Sequence, residues 1–292
     1  MTREVVRAIV YLNLYVELFM NSSELRTVAN CIRRRDVQAV FEAGAGHVGG
    51  EMSVIDLLTA LYFKVMSVNP KNPSDPKRDR LVLSKGHTAL ALYIVLSEKG
   101  FIQKEEIKTF LQPYSRLNGH PNRKKVPGVE TNTGPLGHGL PIAVGMAKAA
   151  QLNRENWRTF VITGDGEMQE GSNWEAIMAG AQFKLDNLTL IIDHNRLQQG
   201  ARLADTIDIT PLRPKFEAFG WNVQEINGHD MDQIVNALDK DKIVPAKPTC
   251  IVAHTNKGAG ISFMSDDVTW HHRVPNAEQY KQAMDELKKA AE

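Results

Sequence analysis

The chain has 292 residues, 42% of them hydrophobic and 24% charged, which provides a substantial core and excludes a disordered polymer. Lysine and arginine number 35 against 34 acids, a net charge of +1, so nothing in the balance points to nucleic acid. The two cysteines, Cys31 and Cys250, are too few and too distant for a disulfide framework or a zinc site, and they fit a reducing cytoplasm.

At the amino end, Arg3 and Arg7 precede an apolar run from Ile9 to Met20, the order found in a signal peptide. Asn13 and Glu17 interrupt the run, no small-residue cleavage site follows, and it is too short to span a bilayer, so no membrane is expected. We read Met20 as the native start, with residues 1–19 as an extension and 20–292 as the folded domain.

Ser22 to Glu42 has the pattern of a helix that ends near Gly44 and Gly46, and the run Arg33-Arg34-Arg35, followed by Asp36, reads as its solvated face. The stretch AGAGHVGGEMSV then reads as a glycine-rich turn carrying His47, with Ser53 capping an apolar helix from Val54 to Val65. A loop from Asn69 to Asp79 leads to a short strand, Arg80 to Leu83, and SKGHTALALY turns at once into a helix closed by Gly100, placing His87 in its first turn. A further helix is expected over Lys104 to Gln112. The loop from Arg116 to Pro135 carries His120, and the turn Gly134-Pro135-Leu136-Gly137-His138-Gly139 opens a small-residue helix running to about Gln151.

The most informative stretch follows. An apolar β-rich run, Phe160 to Thr163, ends in Gly164-Asp165-Gly166, a helix intervenes, and a second apolar run, Leu188 to Ile192, ends shortly before Asn195. Ligands of parallel α/β sheets bind beyond the carboxyl ends of the strands. A carboxylate and an amide oxygen brought together there suit Mg²⁺, which keeps few protein ligands and takes the rest from a diphosphate. Glycines beside the carboxylate allow a sharp turn and close approach to phosphate, and the next helix offers its amino end to an anion. By itself GDG also describes an ordinary strand-to-helix turn. Strands follow at Gly220 to Ile226 and Pro248 to His254, separated by a helix from Met231 to Lys240, and Asn276 with Gln279 forms a capping box for a terminal amphipathic helix. Strands and helices alternate throughout, without repeat or low-complexity linker. The expected fold is therefore α/β, a mostly parallel sheet with helices on both faces.

The letters between Asp165 and Asn195 go further. Glu170-Gly171, Glu175-Ala176 and Lys184-Leu185-Asp186-Asn187-Leu188, spaced as they are, closely resemble the thiamine diphosphate motif of transketolases. The segments EAGAGHVGGEMSV, DRLVLSKGHTALALY, NGHPNRKKVPGVETNTGPLGHGLPIAVGMA, NGHD and DDVTWHHRVPN resemble the same family in the same order, from Met20 to Tyr280. The resemblance implies a thiamine diphosphate-binding fold corresponding to the amino-terminal, diphosphate-side subunit of a split transketolase. It implies that Asp165, Asn195 and the main-chain oxygen of Leu197 hold Mg²⁺, with Ca²⁺ as an alternative. It places Gly134, Leu136, Gly137, Gly164, Gly166, Glu167, His87 and His271 against the cofactor, and His47, His120 and His271 at the hydroxyl and alkoxide protons of the sugars. Imidazole suits that task because it donates or accepts a proton near neutral pH.

Other residues have two readings. Either ring of His271-His272 can face the site, and His138 is a phosphate neighbour or a loop residue. His194, His229 and His254 read as structural. Glu170 and Glu175 are solvated helix acids or, by resemblance, catalytic carboxylates at a dimer interface. The activity implied is transfer of a two-carbon ketol unit from a ketose phosphate such as xylulose 5-phosphate to an aldose phosphate. Its activating glutamate would come from a pyrimidine-binding domain on a separate carboxy-terminal subunit, giving an assembly of two copies of each chain. The alternatives are a different sugar, another thiamine diphosphate enzyme of the 2-oxoacid dehydrogenase or deoxyxylulose phosphate synthase type, and a noncatalytic cofactor-binding module. No GxGxxG turn follows the first strand, which disfavours a nicotinamide dehydrogenase.

Overall fold

The computed structural model describes residues 20–290, and the extension expected over residues 1–19 lies outside them. Eight α-helices and five strands are used below: α1 Ser22–Ala43, α2 Val48–Ala60, β1 Arg80–Leu83, α3 Ala89–Lys99, α4 Gly139–Asn153, β2 Thr159–Gly164, α5 Gly171–Gln182, β3 Leu188–His194, α6 Leu212–Ala218, β4 Asn222–Asn227, α7 Met231–Ala237, β5 Thr249–His254 and α8 Ala277–Lys289. The strands form one sheet in the order β1-β2-β3-β5-β4, every pair parallel.

The strand sequences explain this architecture. Phe160, Ile162, Ile191, Ile251 and Ala253 point into the layer formed by α1, α2, α3, α7 and α8, while Val161, Leu190, Ile192, Cys250 and Val252 point into the layer of α4, α5 and α6. Both faces gain about 1.5–3 kcal/mol per large aliphatic side chain buried, so the inner strands β2, β3 and β5 are continuous apolar runs, whereas the edge strand β4 mixes apolar and polar residues. Because all strands run the same way, the residues after β1, β2, β3 and β5 emerge along one edge of the sheet. In register Gly164 lies beside Asp193, and Asp193 beside Ala253.

Helix boundaries follow local chemistry. Asn21 caps α1, its side-chain oxygen accepting from the Ser23 and Glu24 amides at 2.9 and 3.1 Å while Glu24 accepts from the Asn21 amide at 2.7 Å, and Gly44 ends the helix at φ +67°. The capping box at Asn276 and Gln279 opens α8 as expected.

Two expectations are corrected. The stretch read as a glycine-rich turn is helical from Val48, with His47 as its N-cap residue, and Ser53 lies in the helix interior with its hydroxyl 2.6 Å from the Asp193 carboxylate. Glycine is required at position 49 for packing: a Cβ there would lie 2.6 Å from the Trp270 carbonyl oxygen. The helix expected over Lys104 to Gln112 is a 3₁₀ segment, Lys104–Thr109, and the backbone turns away at Leu111, φ +59°.

Candidate active site

The carboxyl edge of the sheet opens on a cleft of about 380 Å³. Asp165 leaves β2 there and is 1% exposed. Its Oδ1 accepts from the Gly166 amide at 2.7 Å, and its Oδ2 accepts from the Arg196 amide at 2.5 Å and lies 3.1 Å from Nδ1 of His194. Asn195 follows β3, its Oδ1 accepting from the Leu197 amide at 3.1 Å, and the intervening Arg196 adopts φ +66°, which turns the chain tightly enough to keep Asn195 and Leu197 together. The register of β2 and β3 therefore brings Asp165, Asn195 and Leu197, far apart in sequence, to one wall of the cleft. Among the described residues no three His, Cys, Asp or Glu side chains gather as a metal centre. The donors on offer are one carboxylate, one amide and one carbonyl, a hard-oxygen set that matches Mg²⁺ when a diphosphate completes the shell.

The opposite wall carries imidazoles. His47 at the start of α2, His87 in the 3₁₀ turn after β1, and His271 form a triangle with ring centroids 5.2, 5.2 and 5.5 Å apart. Burial, followed by the charges of His272, His120 and the lysines, lowers the His47 pKa to about 4; burial and Lys257 lower that of His271 to about 3. His87 is driven well below its ordinary value by burial and by Lys85. All three rings are neutral at pH 7, each with one N–H and one lone pair.

Of the pair, His271 lines the cleft, while the exposed His272 does not, although its ring centroid lies 4.7 Å from that of His47. His120 stands at an exposed position against Gly134, where a Cβ would approach its ring to 3.1 Å. Gly134, Leu136, Gly164, Gly166, Glu167 and Glu170 all line the cleft.

Glu167 has a distinct task. Its Oε1 accepts from the Ser84 hydroxyl and, at 3.0 Å, from the Gly137 amide, and its Oε2 accepts from the Gly164 amide at 3.1 Å. Burial raises its pKa, against the pull of those three donors. Gly137 adopts φ +80°, and a Cβ there would lie 2.6 Å from Glu170 Cβ, so only glycine lets the turn approach. His138 is a loop residue, its Nδ1 3.0 Å from the Leu136 carbonyl oxygen. His229 bridges Asp56 at 2.7 Å and the Asn256 amide at 2.9 Å, and His254 pairs with Glu225 at 3.1 Å. His194, by contrast, sits against Asp165 and so orients it.

Sequence reasoning missed two lysines. Lys85, 2% exposed, pairs with Asp193 and donates to the Gly50 carbonyl at 3.1 Å. Burial pushes the Asp193 carboxyl up, and Lys85, Ser53 and Thr255 together bring it below its ordinary value. Lys257, also 2% exposed, donates to the Gln198 carbonyl at 3.2 Å and lies 2.8 Å from His271 Nδ1. An ammonium can only donate, so Nδ1 of His271 is the acceptor and Nε2 keeps the proton. No carboxylate pairs with Lys257 among the described residues, and burial, reinforced by Lys85, lowers its pKa to about 8. A buried, unmatched cation in a cleft with neutral imidazoles and a hard-oxygen pair fits a bound diphosphate. The signal in sequence was lysine beside glycine directly after strands, in SKGH and TNKGAG.

Comparison with known proteins identifies the family and the fold. A family model described as transketolase, thiamine diphosphate binding domain, matches residues 25–288. An apulose-4-phosphate transketolase subunit from Phocaeicola vulgatus is 46% identical over 269 residues, covering 92% of this chain and 95% of that protein. A 6-deoxy-6-sulfo-D-fructose transketolase subunit of a Clostridium species is 40% identical over 266 residues, covering 91% of this chain and 97% of that protein. The crystal structure of transketolase from Campylobacter jejuni superposes with a TM-score of 0.87 at 34% identity, over 92% of this chain but only 43% of that one. The chain thus spans less than half the length of that enzyme and nearly all of the two subunits. With family model, fold and matched length in agreement, the chain belongs to the transketolase thiamine diphosphate-binding domain family.

Proposed function

We propose that this chain is the diphosphate-side subunit of a two-subunit transketolase, passing a two-carbon ketol unit from a ketose phosphate to an aldose phosphate. The observation that carries the reading is the buried Lys257, unmatched by a carboxylate and hydrogen-bonded to one of three neutral imidazoles, in the cleft that also holds Asp165 and Asn195. Bound thiamine diphosphate supplies a nucleophilic carbon and an electron sink for making and breaking carbon–carbon bonds beside a ketone.

The chain's own residues supply position and protons. Asp165, Asn195 and the Leu197 carbonyl would hold Mg²⁺ or Ca²⁺ against the diphosphate, and Lys257 would neutralise part of its charge. Gly134, Leu136, Gly137, Gly164 and Gly166 let the backbone approach the cofactor, with Glu167 locking the wall. His47, His120 and His271 exchange protons with sugar hydroxyls. The Nε2–H of His271 is the donor its contact with Lys257 leaves free for a developing oxyanion.

A second subunit is part of the proposal, since the relatives of matching length are named as subunits. Self-association of this chain is supported by exposed apolar side chains on and just past α4 and α5, where Leu152, Met178 and Phe183 are 70, 51 and 42% exposed. The donor sugar has a second reading: those relatives are named for apulose-4-phosphate and for 6-deoxy-6-sulfo-D-fructose, which favours a sugar other than xylulose 5-phosphate. No helix among the described residues is long and apolar enough to cross a membrane, and we propose a cytoplasmic enzyme.

The test is co-expression with a candidate carboxy-terminal subunit, followed by ketol transfer from xylulose 5-phosphate, apulose 4-phosphate or 6-deoxy-6-sulfofructose to an aldose phosphate. Transfer is expected in the mixture and not with the purified chain alone. Release of carbon dioxide from pyruvate instead would assign the chain to 2-oxoacid or deoxyxylulose phosphate chemistry. Transfer by this chain alone would reject the need for a partner.

A further inference from the structure

A second concave surface shares no residue with the cofactor cleft. It is a cleft of about 610 Å³ lined by Arg78, Arg80, Arg123, Lys124 and Lys125, with Glu130 as its one acid. Five cations against one carboxylate leave a surplus of four positive charges, in a chain whose total is +1. Like charges crowd together only at a cost, and a small cleft concentrates their field on whatever enters.

The pairing pattern shows where that charge is uncompensated. Glu130 is engaged by Arg78 at 2.6 Å. Arg80 is held by neutral groups: its guanidinium donates to the Arg78 and Pro76 carbonyls at 2.8 and 3.0 Å and stacks 3.8 Å over the Trp157 ring. It is fixed in place without spending its charge on a carboxylate. Burial and the neighbouring Arg78 lower its pKa, opposed by Glu130, Asp79 and Glu155. Arg123, Lys124 and Lys125 are exposed, and no ion pair engages them among the described residues. The backbone beneath them is fixed, with the Arg123 amide donating to Asn132 Oδ1 and the Lys124 amide to Asn122 Oδ1, both at 2.9 Å, and with Val126 and Val129 buried as anchors.

We propose that this cleft is a second anion site, distinct from the thiamine diphosphate cleft, that takes a small molecule bearing at least two phosphoryl groups. Its volume lies in the range of small-ligand pockets, about 300–1,000 Å³. A phosphoryl group carries about −1.5 to −2 charge at neutral pH, so two of them match the surplus. A planar guanidinium held in advance suits phosphate oxygens, and the flanking lysines add point charges. The loop that supplies Arg123, Lys124 and Lys125 also carries His120 and Gly134, so an occupant would bear on a segment reaching the active site.

The test is calorimetric titration of the folded chain with inorganic tripolyphosphate in metal-free buffer, with and without saturating thiamine diphosphate. One class of sites is expected to disappear under thiamine diphosphate and a second to persist. The variant R123Q/K124Q/K125Q, altered only at exposed loop positions, should weaken the persistent site by roughly tenfold or more and leave the competed site unchanged. In the wild type the persistent site should also weaken severalfold as salt rises from about 50 to about 200 mM. Absence of a persistent site, a persistent site indifferent to the triple substitution or to salt, or tighter binding of a deca-glutamate peptide than of tripolyphosphate would overturn the proposal, the last by making the cleft a protein-docking surface.

Discussion

Gly49 lies inside α2, where replacing glycine by alanine ordinarily stabilises a helix by about 1 kcal/mol. The structure predicts the opposite sign. The added methyl would meet the Trp270 carbonyl oxygen at 2.6 Å and Lys257 Cγ at 3.2 Å. The first of these is backbone and cannot swing aside; Trp270 itself is 2% exposed and packed against Phe263 with ring centroids 5.2 Å apart. Overpacking of this kind costs about 1–3 kcal/mol, and contact with fixed backbone favours the upper end. Subtracting the helix gain leaves Gly49→Ala less stable by about 2 kcal/mol, or roughly 4–8 °C in Tm for a domain of this size. Because the displaced peptide adjoins His271 and the pushed side chain is Lys257, affinity for thiamine diphosphate should fall as well. Gly145 in α4 is the matched control: a Cβ there meets nothing within 4 Å, so Gly145→Ala should gain up to about 1 kcal/mol and leave cofactor affinity unchanged. Thermal and urea unfolding with calorimetric titration decide the matter. A Gly49→Ala protein as stable as the wild type and binding cofactor equally well would refute the packing argument.

Three further outcomes follow from the buried charges. Lys85→Met strands Asp193 without its cation and should cost about 3–5 kcal/mol in urea unfolding, with the Lys85→Met/Asp193→Asn pair recovering part of the loss. His47 and His271 have folded pKa values of about 4 and 3, below their ordinary 6.5, so the unfolded chain takes up protons first as the medium acidifies. Their contribution to stability is therefore full above pH 6.5 and declines as pH falls toward 4, visible as a lower urea midpoint at pH 5 than at pH 7 that shrinks in a His47→Asn protein. Lys257, with a folded pKa of about 8 against 10.5, behaves with the same sign in a higher window: stability rises between pH 8 and 10.5, because there the unfolded chain holds the extra proton. Diphosphate affinity, which needs the charged ammonium, should fall over the same interval, and calorimetry at pH 7 and pH 9.5 would detect it.

Much of the fold could be read from sequence because β2, β3 and β5, at the centre of a parallel sheet buried on both faces, carry continuous apolar runs, while the edge strand β4 mixes apolar and polar residues. The placement of Asp165 and Asn195 was legible for the same reason, since they sit two and three residues past such runs, each just beyond the end of its strand. Helix α2 was not, because glycine's usual signal is freedom, and at Gly49 it marks instead a neighbour too close for any side chain. Lys85 and Lys257 escaped because lysine in a loop ordinarily points to water; only the gathering of the segments at the carboxyl ends of β1, β3 and β5 buries them. The histidine triangle was visible as four separate candidates, but its membership depended on distances that no spacing along the chain records.

The Glu167 carboxylate joins Ser84 after β1, Gly137 in the turn before α4, and Gly164 at the tip of β2. One side chain thus fastens three segments that are far apart along the polypeptide, and none of the three can swing outward unless it lets go of a shared knot. Hydrogen exchange should therefore find the Gly137 and Gly164 amides opening together, as one panel of the wall, with Glu167→Gln loosening both at once.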